Sequence, residues 1–325
     1  MINVTVVGYG VMGKVHCDFI RSVGGLNLYA VCDTDQARRQ VAGRDFGVRT
    51  FENMDQVLQE GASRLVIIAT PHDTHAPLAI KAMDAGKNVV VEKVMCLNVA
   101  EADAMIAASK KNNVVLSVFQ SRRWDSDYLT VRKVMESGIL GEVFLVESSV
   151  CWYGQLEGWR RERKRGGGHI YDWGAHLIDQ AVQMIDSEAE TVFCDFQYRT
   201  RDTDVESHVK CLIRFKNRLL YEIDVGSVSQ ISKPRWRVLG ELGTLTKQDT
   251  GPGEKAKVRT QIGEITADME IESVPAEWRD YYVNISRVLN EGAELAVKPE
   301  EVRKGIAVIE AAIKSAETGG SVKIG

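Results

Sequence analysis

Long apolar runs are missing from this chain. No stretch approaches the roughly 20 residues that a membrane-spanning helix needs. The first residues, MINVTVVGYG, show no basic region, long apolar core or cleavage site of a secretory leader. A membrane partner is therefore not expected, and the chain reads as cytoplasmic. Basic excess is missing too: 41 Lys and Arg stand against 45 Asp and Glu, for a net charge of −4. Nothing in that balance favours nucleic acid or an anionic surface as a partner. The six cysteines, at positions 17, 32, 96, 151, 194 and 211, form no CxxC or CxxH pair. Their scatter fits reduced thiols and argues against a zinc site, so no metal is expected. Internal repeats and low-complexity tracts are also absent. What remains is an ordinary globular composition, 44% hydrophobic and 26% charged. At 325 residues the chain is too long for one ordinary core, and two domains are expected, with a boundary near residue 120.

The first 120 residues alternate short β-branched runs with helical segments, the pattern of a parallel sheet covered on both faces. The strand Ile2–Val7 runs straight into Gly8-Tyr9-Gly10-Val11-Met12-Gly13, a helix follows, and the next strand ends at Asp33. This is a dinucleotide-binding fingerprint in its proper context. Gly8 permits the tight turn, Gly10 lets backbone approach a pyrophosphate, and Gly13 lets the helix pack closely on the strand. The helix N-terminus offers free N–H groups to phosphate, and Asp33 lies where a carboxylate accepts from the ribose hydroxyls. NAD is the expected cofactor. NADP stays open because Arg38 and Arg39 follow Asp33 closely. Ligands on such sheets bind at the carboxyl ends of strands. Two strand ends there carry polar chemistry: Thr70-Pro71-His72-Asp73-Thr74-His75 and Glu92-Lys93-Val94. Thr74 or Asp73 also suits a helix cap. Lys93, two residues past the apolar Val89–Val91, is badly placed for a merely solvated charge.

Beyond residue 120 the alternation stops. Strand candidates at 142–152, 191–198, 207–215, 218–225, 235–239 and 244–247, joined by short turns, indicate an α+β domain with an antiparallel sheet. Its central helix, from Tyr171 to Ile185, is apolar nearly all round, which implies burial on most sides. Asp172, His176, Asp179 and Gln183 nevertheless fall at i, i+4, i+7 and i+11, one narrow stripe. Two readings stand: a thin solvent-facing edge, or a polar cavity in which Asp172 and His176 sit one turn apart. Before the helix, Trp152, Trp159 and Trp173 cluster with the charge run Arg160-Arg161-Glu162-Arg163-Lys164-Arg165. Aromatic faces suit sugar C–H faces and basic groups suit hydroxyls; core packing and a solvated loop are the competing readings. Gly166, Gly167 and Gly168 suggest a hinge. Arg122, Arg123 and Trp124 open the crossover into this domain. Two helices, from Trp278 and from Pro299, close the chain and are expected to pack back on the body.

Three segments, GYGVMG with Asp33, ATPHDTHAPLAIKAMDAGKNVVVEKVMCLN, and GGGHIYDWGAHLIDQ, occur in an order that resembles the Gfo/Idh/MocA oxidoreductase family. The resemblance implies an α/β fold over nearly the whole chain. Residues 1–120 form a doubly wound Rossmann domain binding NAD(P). Residues 121–325 form an α+β substrate domain with a large, mainly antiparallel open sheet, whose outer face pairs subunits into a homodimer or homotetramer. By position, Lys93, Asp172 and His176 match the family's catalytic lysine, aspartate and histidine. His75 matches a residue bordering the nicotinamide. The expected cofactor contacts are Gly8, Tyr9, Gly10, Val11, Met12, Gly13, Asp33, Thr70, Pro71, His75, Glu92 and Lys93. The expected substrate contacts are Arg123, Trp152, Trp159, Arg163 and Asp179. One departure is Val94, where the family usually has proline, often after a cis bond. The implied activity is nicotinamide-dependent oxidation of a secondary alcohol on a sugar or inositol-like polyol. A non-catalytic dinucleotide sensor and a biliverdin-reductase-like enzyme share the architecture; the first does not need all three of Lys93, Asp172 and His176, and the histidine motif argues against the second.

Overall fold

Six short runs rich in Val, Ile and Leu build the first sheet of the computed structural model, which describes residues 1–325. In chain order they are β1 (Ile2–Val7), α1 (Val11–Ser22), β2 (Leu26–Cys32), α2 (Gln36–Phe46), β3 (Arg49–Phe51), α3 (Met54–Glu60), β4 (Leu65–Ile68), α4 (His75–Asp84), β5 (Asn88–Glu92), α5 (Val99–Asn112) and β6 (Leu116–Phe119). The order across the sheet is β3-β2-β1-β4-β5-β6, and every neighbouring pair is parallel. Burial on both faces explains why β4 and β5 read as unbroken apolar runs rather than alternating ones. The strand order reverses between β1 and β4, which sets the switch point beside Gly8.

The remaining elements are α6 (Ser126–Glu136), β7 (Val143–Cys151), α7 (Trp173–Met184), β8 (Ala189–Gln197), β9 (His208–Phe215), β10 (Leu220–Gly226), β11 (Trp236–Gly240), β12 (Gly243–Lys247), β13 (Ala256–Ile262), β14 (Ile265–Ile271), α8 (Arg279–Glu291), α9 (Pro299–Thr318) and β15 (Val322–Lys323). Nine strands form a second sheet in the order β14-β13-β12-β11-β7-β10-β9-β8-β15. Its pairs are antiparallel apart from β7 with β10. The two units divide at residue 120. Unit 1 is Met1–Gln120 with Trp278–Arg303, and unit 2 is Ser121–Glu277 with Lys304–Gly325. The expected stretch 121–325 thus gives α8 and the start of α9 to the first unit. In that unit Tyr281 donates to Ser117 at 2.9 Å and Tyr282 bonds His16 at 2.6 Å.

Two features of unit 2 depart from expectation. The hairpin β13–β14 is new. Its outward positions carry Lys257, Arg259, Asp268 and Glu270, and Arg259 grips Asp268 through two bonds of 2.7 and 2.8 Å; so polar a segment gives little apolar periodicity to read. The cysteines are not all reduced thiols. Cys194 on β8 stands directly opposite Cys211 on β9, with Cα atoms 4.2 Å apart, and the two form a disulfide. A separation of 17 residues hid a pairing that only the strand register creates. Cys17, Cys32, Cys96 and Cys151 are free. No helix is long and apolar enough to cross a membrane.

The core of unit 2 contains a buried cation. Arg235, 3% exposed, reaches Asp127 at 3.1 Å, Gln180 at 2.8 Å and the Ser148 hydroxyl, and its guanidinium lies 4.2 Å over the Trp236 ring. Asp127 also accepts from Trp236 at 2.7 Å, and Gln180 on α7 donates to the Arg122 carbonyl at 3.1 Å. Removing one partner of such a pair strands the other charge. Arg235→Met is expected to destabilise the protein by about 3–5 kcal/mol, whereas Asp127→Asn combined with Arg235→Met recovers most of the loss. Urea midpoints of the wild type and the two variants check this, and a single-variant loss near zero would refute the assignment of this pair as the core's electrostatic anchor.

Candidate active site

The nucleotide loop is shaped by missing side chains. A Cβ on Gly8 would lie 2.4 Å from the Ala69 carbonyl oxygen at the end of β4, and one on Gly13 would lie 1.9 Å from the Gly8 carbonyl oxygen. Both positions therefore demand glycine for close backbone approach. Gly10 faces open space and caps α1 without any side-chain acceptor, while Val11 is exposed. An uncrowded helix N-terminus behind a bare glycine is the cradle a pyrophosphate requires, so the residues present fit a dinucleotide. Tyr9 turns its ring inward against Phe46, 6.2 Å between centroids, and burial pushes its hydroxyl up to about 12. Asp33 is 7% exposed; its carboxylate accepts from the backbone of Tyr9 at 2.7 Å and of Asp35 at 2.8 Å. Arg39 is committed to the carbonyls of Asp33 and Thr34, and exposed Arg38 approaches Asp33 at 3.8 Å.

The Lys93 segment is braced from beneath. The peptide between Lys93 and Val94 is cis. Glu92 accepts from the Lys93 backbone N–H at 2.9 Å and bonds His16 at 2.9 Å, which in turn meets the Tyr282 hydroxyl. His75 faces the carbonyl of Val94 at 2.7 Å through Nδ1 and that of Thr70 at 2.9 Å through Nε2. Burial lowers its pKa, so a neutral ring donates to one of the two at a time. Glu92 and His75 were expected among the cofactor contacts. Both side chains are almost wholly buried: His75 ties the ends of β4 and β5 together through Thr70 and Val94, and Glu92 ties the Lys93 backbone to His16 of α1. Thr70 and Pro71 remain partly exposed at the strand end, with the Thr70 and Thr74 hydroxyls 2.6 Å apart.

The stripe on α7 is not a solvent edge. Asp172 is the N-cap of the helix, and His176 and Asp179 are 7% and 4% exposed. A chain of ring contacts leads to the histidine. Arg122 lies 3.8 Å over the face of Trp173, and the Trp173 ring meets the His176 ring nearly perpendicularly at 5.8 Å. Arg122 is itself held by Asp125 at 2.7 Å. Asp172 has Arg160 at 3.7 Å. Arg160 and Trp173 belong to the charge run and aromatic cluster read from the sequence as suited to a sugar, but neither was assigned a place beside Asp172 or His176.

The expected substrate contacts each have a protein partner. Arg123 and Asp179 meet in a bidentate bond of 2.8 and 2.8 Å, which gives each oxygen of Asp179 a protein donor. Their role is to hold the segment before α6 against α7. Arg163 donates to the Asp204 carbonyl and the Tyr198 hydroxyl, so it docks the loop. Trp159 stacks under Arg160 at 4.6 Å. Trp152 packs edge-on against His169 at 5.2 Å. Among metal-ligating types, Cys151, His208 and Asp224 lie within 4.8 Å of one another. Lys210 and Lys233 already pair with Asp224, at 3.1 and 2.7 Å. Two ammonium groups on one carboxylate oppose a cation there, and no metal is assigned.

His169, in the turn before α7, is fully buried and bonds Ser227 at 3.0 Å; burial pushes its pKa down to about 4. A folded-state pKa below the free value of about 6.5 means that its contribution is complete above pH 6.5 and is lost as pH falls toward 4, by about 3 kcal/mol. The wild-type Tm is expected to drop across that window, and His169→Gln to flatten the drop. Equal slopes in the two proteins would assign the acid loss to other groups.

Comparison with known proteins agrees with this geometry. The family model described as an oxidoreductase family with an NAD-binding Rossmann fold matches residues 2–120, and the GFO/IDH/MocA C-terminal domain matches residues 128–246. A solved structure described as an NAD-binding protein from Listeria innocua is similar over 99% of this chain and 96% of its own, at 32% identity and a TM-score of 0.92. The scyllo-inositol 2-dehydrogenase (NADP(+)) IolW of Bacillus subtilis is 28% identical over 97% of this chain and 94% of its own. The myo-inositol 2-dehydrogenase of Thermotoga maritima is 27% identical over 69% and 68%. A phosphate cradle at the switch point, carried by a sequence that matches both models, makes this chain a member of the Gfo/Idh/MocA oxidoreductase family whose first unit is an NAD(P)-binding Rossmann domain.

Proposed function

We propose that the chain oxidises a secondary alcohol carbon of a sugar or cyclic polyol of the inositol type. The observation that carries this reading is the head of α7, where Asp172 and an almost buried His176 stand one turn apart with Trp173 clamped between His176 and Arg122. The loop of Gly8, Gly10 and Gly13 would hold the dinucleotide, whose nicotinamide would supply a hydride acceptor for the alcohol carbon. His176 takes the hydroxyl proton as general base. Asp172 orients the imidazole and favours its charged form. The resemblance assigns Lys93 a hydrogen bond to the same oxygen, where a fixed cation offsets developing negative charge. The names of the two inositol dehydrogenases support the polyol class.

The open face of the second sheet supports a further proposal, that copies of the chain pair through it. Phe193 and Leu212 stand opposite each other there and are 45% and 37% exposed. Leu212→Lys should shift the protein to a smaller species in light scattering, and an unchanged mass would remove this face from the interface.

A panel of inositols and aldoses, read by nicotinamide absorbance with NAD and NADP, tests the activity. His176→Ala is expected to lower kcat by roughly 10²–10⁴, the range for a lost general base, without changing the affinity for the dinucleotide. Asp172→Asn should lower kcat as well. NAD should exceed NADP in kcat/KM, because the Asp33 carboxylate repels a 2′-phosphate. Retention of full kcat in His176→Ala refutes the assigned base, and an NADP preference refutes the argument from Asp33.

A further inference from the structure

We propose that Glu206 is a positioning residue: its carboxylate latches the glycine turn that precedes α7 and so sets the backbone from which Asp172 and His176 project. The catalytic half of this statement rests on the function proposed above; the latch itself does not. The run Gly166-Gly167-Gly168 suggested a hinge, but two of its glycines are packed tight. A Cβ on Gly167 would lie 2.4 Å from the Arg160 carbonyl oxygen, and one on Gly168 would lie 2.5 Å from both carboxylate oxygens of Glu206. Gly168 also has a φ of +102°, a conformation that L side chains rarely adopt. The Glu206 carboxylate therefore lies flat against a Cα that must be bare.

The carboxylate is fed from the same turn. The Ile170 backbone N–H donates to Oε1 at 2.8 Å, and the His169 backbone N–H faces the group as well. Glu206 is 4% exposed, and burial pushes its carboxyl up to about 7. An acid so placed is costly without donors, so these backbone bonds hold the turn in one place. From the turn, backbone bonds lead directly into the helix: Asp172 N–H to Gly168 O at 3.0 Å and Gly174 N–H to His169 O at 2.7 Å. Displacement of residues 168–170 thus displaces the N-cap aspartate and the first turn of α7. The base of the latch is firm. Next to Glu206, Ser207 donates its backbone N–H to the Gln197 carbonyl, and Ser227 donates to the Ser207 carbonyl, at 2.8 and 2.9 Å. The Asp204 carboxylate accepts from the Arg163 backbone at 2.7 Å, and the Thr203 hydroxyl donates to the Arg161 carbonyl at 2.9 Å. Glu206 is accordingly fixed to β8, to the segment after β10 and to the aromatic loop together.

Hydrogen–deuterium exchange on the full chain, with β9 and β10 peptides as internal reference, tests the latch. In Glu206→Ala and in Gly168→Ala the peptide spanning 166–176 is expected to exchange about tenfold faster, the effect of one lost backbone-to-side-chain hydrogen bond. Glu206→Gln, which keeps one acceptor oxygen, should show a smaller increase. On a polyol that the wild type turns over, kcat should fall about tenfold in both alanine variants, with partial recovery in Glu206→Gln and an unchanged KM for NAD. Wild-type exchange at 166–176 in both alanine variants overturns the latch. Faster exchange with wild-type kcat overturns the positioning role. If Glu206→Ala loosens β9 and β10 too, Glu206→Gln, which preserves side-chain size, decides by the same two readouts. A wild type that turns over no polyol refutes the proposed function alone, and the exchange result still decides the latch.

Discussion

Helix α7 can present a polar stripe inside unit 2 because a buried cation holds its flank, at Gln180. Arg235 has almost no solvent, and desolvation lowers its pKa from the usual arginine range. It stays charged by pairing with Asp127 and spending its remaining donors on Gln180 of α7 and Ser148 of β7. The bonds are directional, so they fix the rotation of α7 about its axis as well as its distance from the sheet. A purely apolar rear face would pack as well, but with weaker preference for one rotation. The rotation matters here, because a helix with period 3.6 loses its alignment if turned by a fraction of one residue. Arg235 and Gln180 therefore decide which residues occupy the stripe.

Missing side chains set the close approaches within each unit. Gly8 and Gly13 bring backbone within contact of backbone at the end of β1, and Gly168 does the same for a carboxylate before α7. At Gly8 and Gly13 the nearest atom is backbone, which cannot easily retreat; at Gly168 the φ of +102° adds its own demand for glycine. Glycine at these positions costs chain entropy in the unfolded state, and the return is a close approach that no other residue allows. The three sites share this constraint although one lies on a parallel sheet and another in a mixed one.

Much of this was legible in the sequence because the relevant signals are local. GYGVMG follows a strand and precedes a helix within 13 residues, and Asp172 and His176 declare themselves by helical spacing alone. What the sequence hides is any partner chosen by tertiary register. Cys194 and Cys211 are brought opposite by strand pairing. Arg123 and Asp179 are 56 residues apart and look like two independent polar groups until they meet. Glu206 sits in a polar stretch, DTDVESH, with nothing to mark one acid as buried. The β13–β14 hairpin was missed for a related reason: its inward residues are few and its outward ones are charged, so the period of two is visible mainly in charge.

The acids of the two motif regions divide by what they accept from. Asp33 takes the N–H groups of Tyr9 and Asp35, Glu92 takes that of Lys93, and Glu206 takes that of Ile170. Each is mostly buried, and each holds a loop that carries a motif rather than acting as a free charge. A carboxyl group suits this work, since its two oxygens can take several N–H donors from a tight turn at once. Backbone N–H groups are the donors a turn has in surplus, so burying an acid beside one satisfies both partners. Asp172 differs: as N-cap it makes no side-chain capping bond, and its carboxylate turns toward Arg160 instead. That leaves the capping work to the Gly168 turn behind it. The His169 carbonyl takes the Gly174 N–H of the first turn, and Glu206 holds the turn that presents that carbonyl.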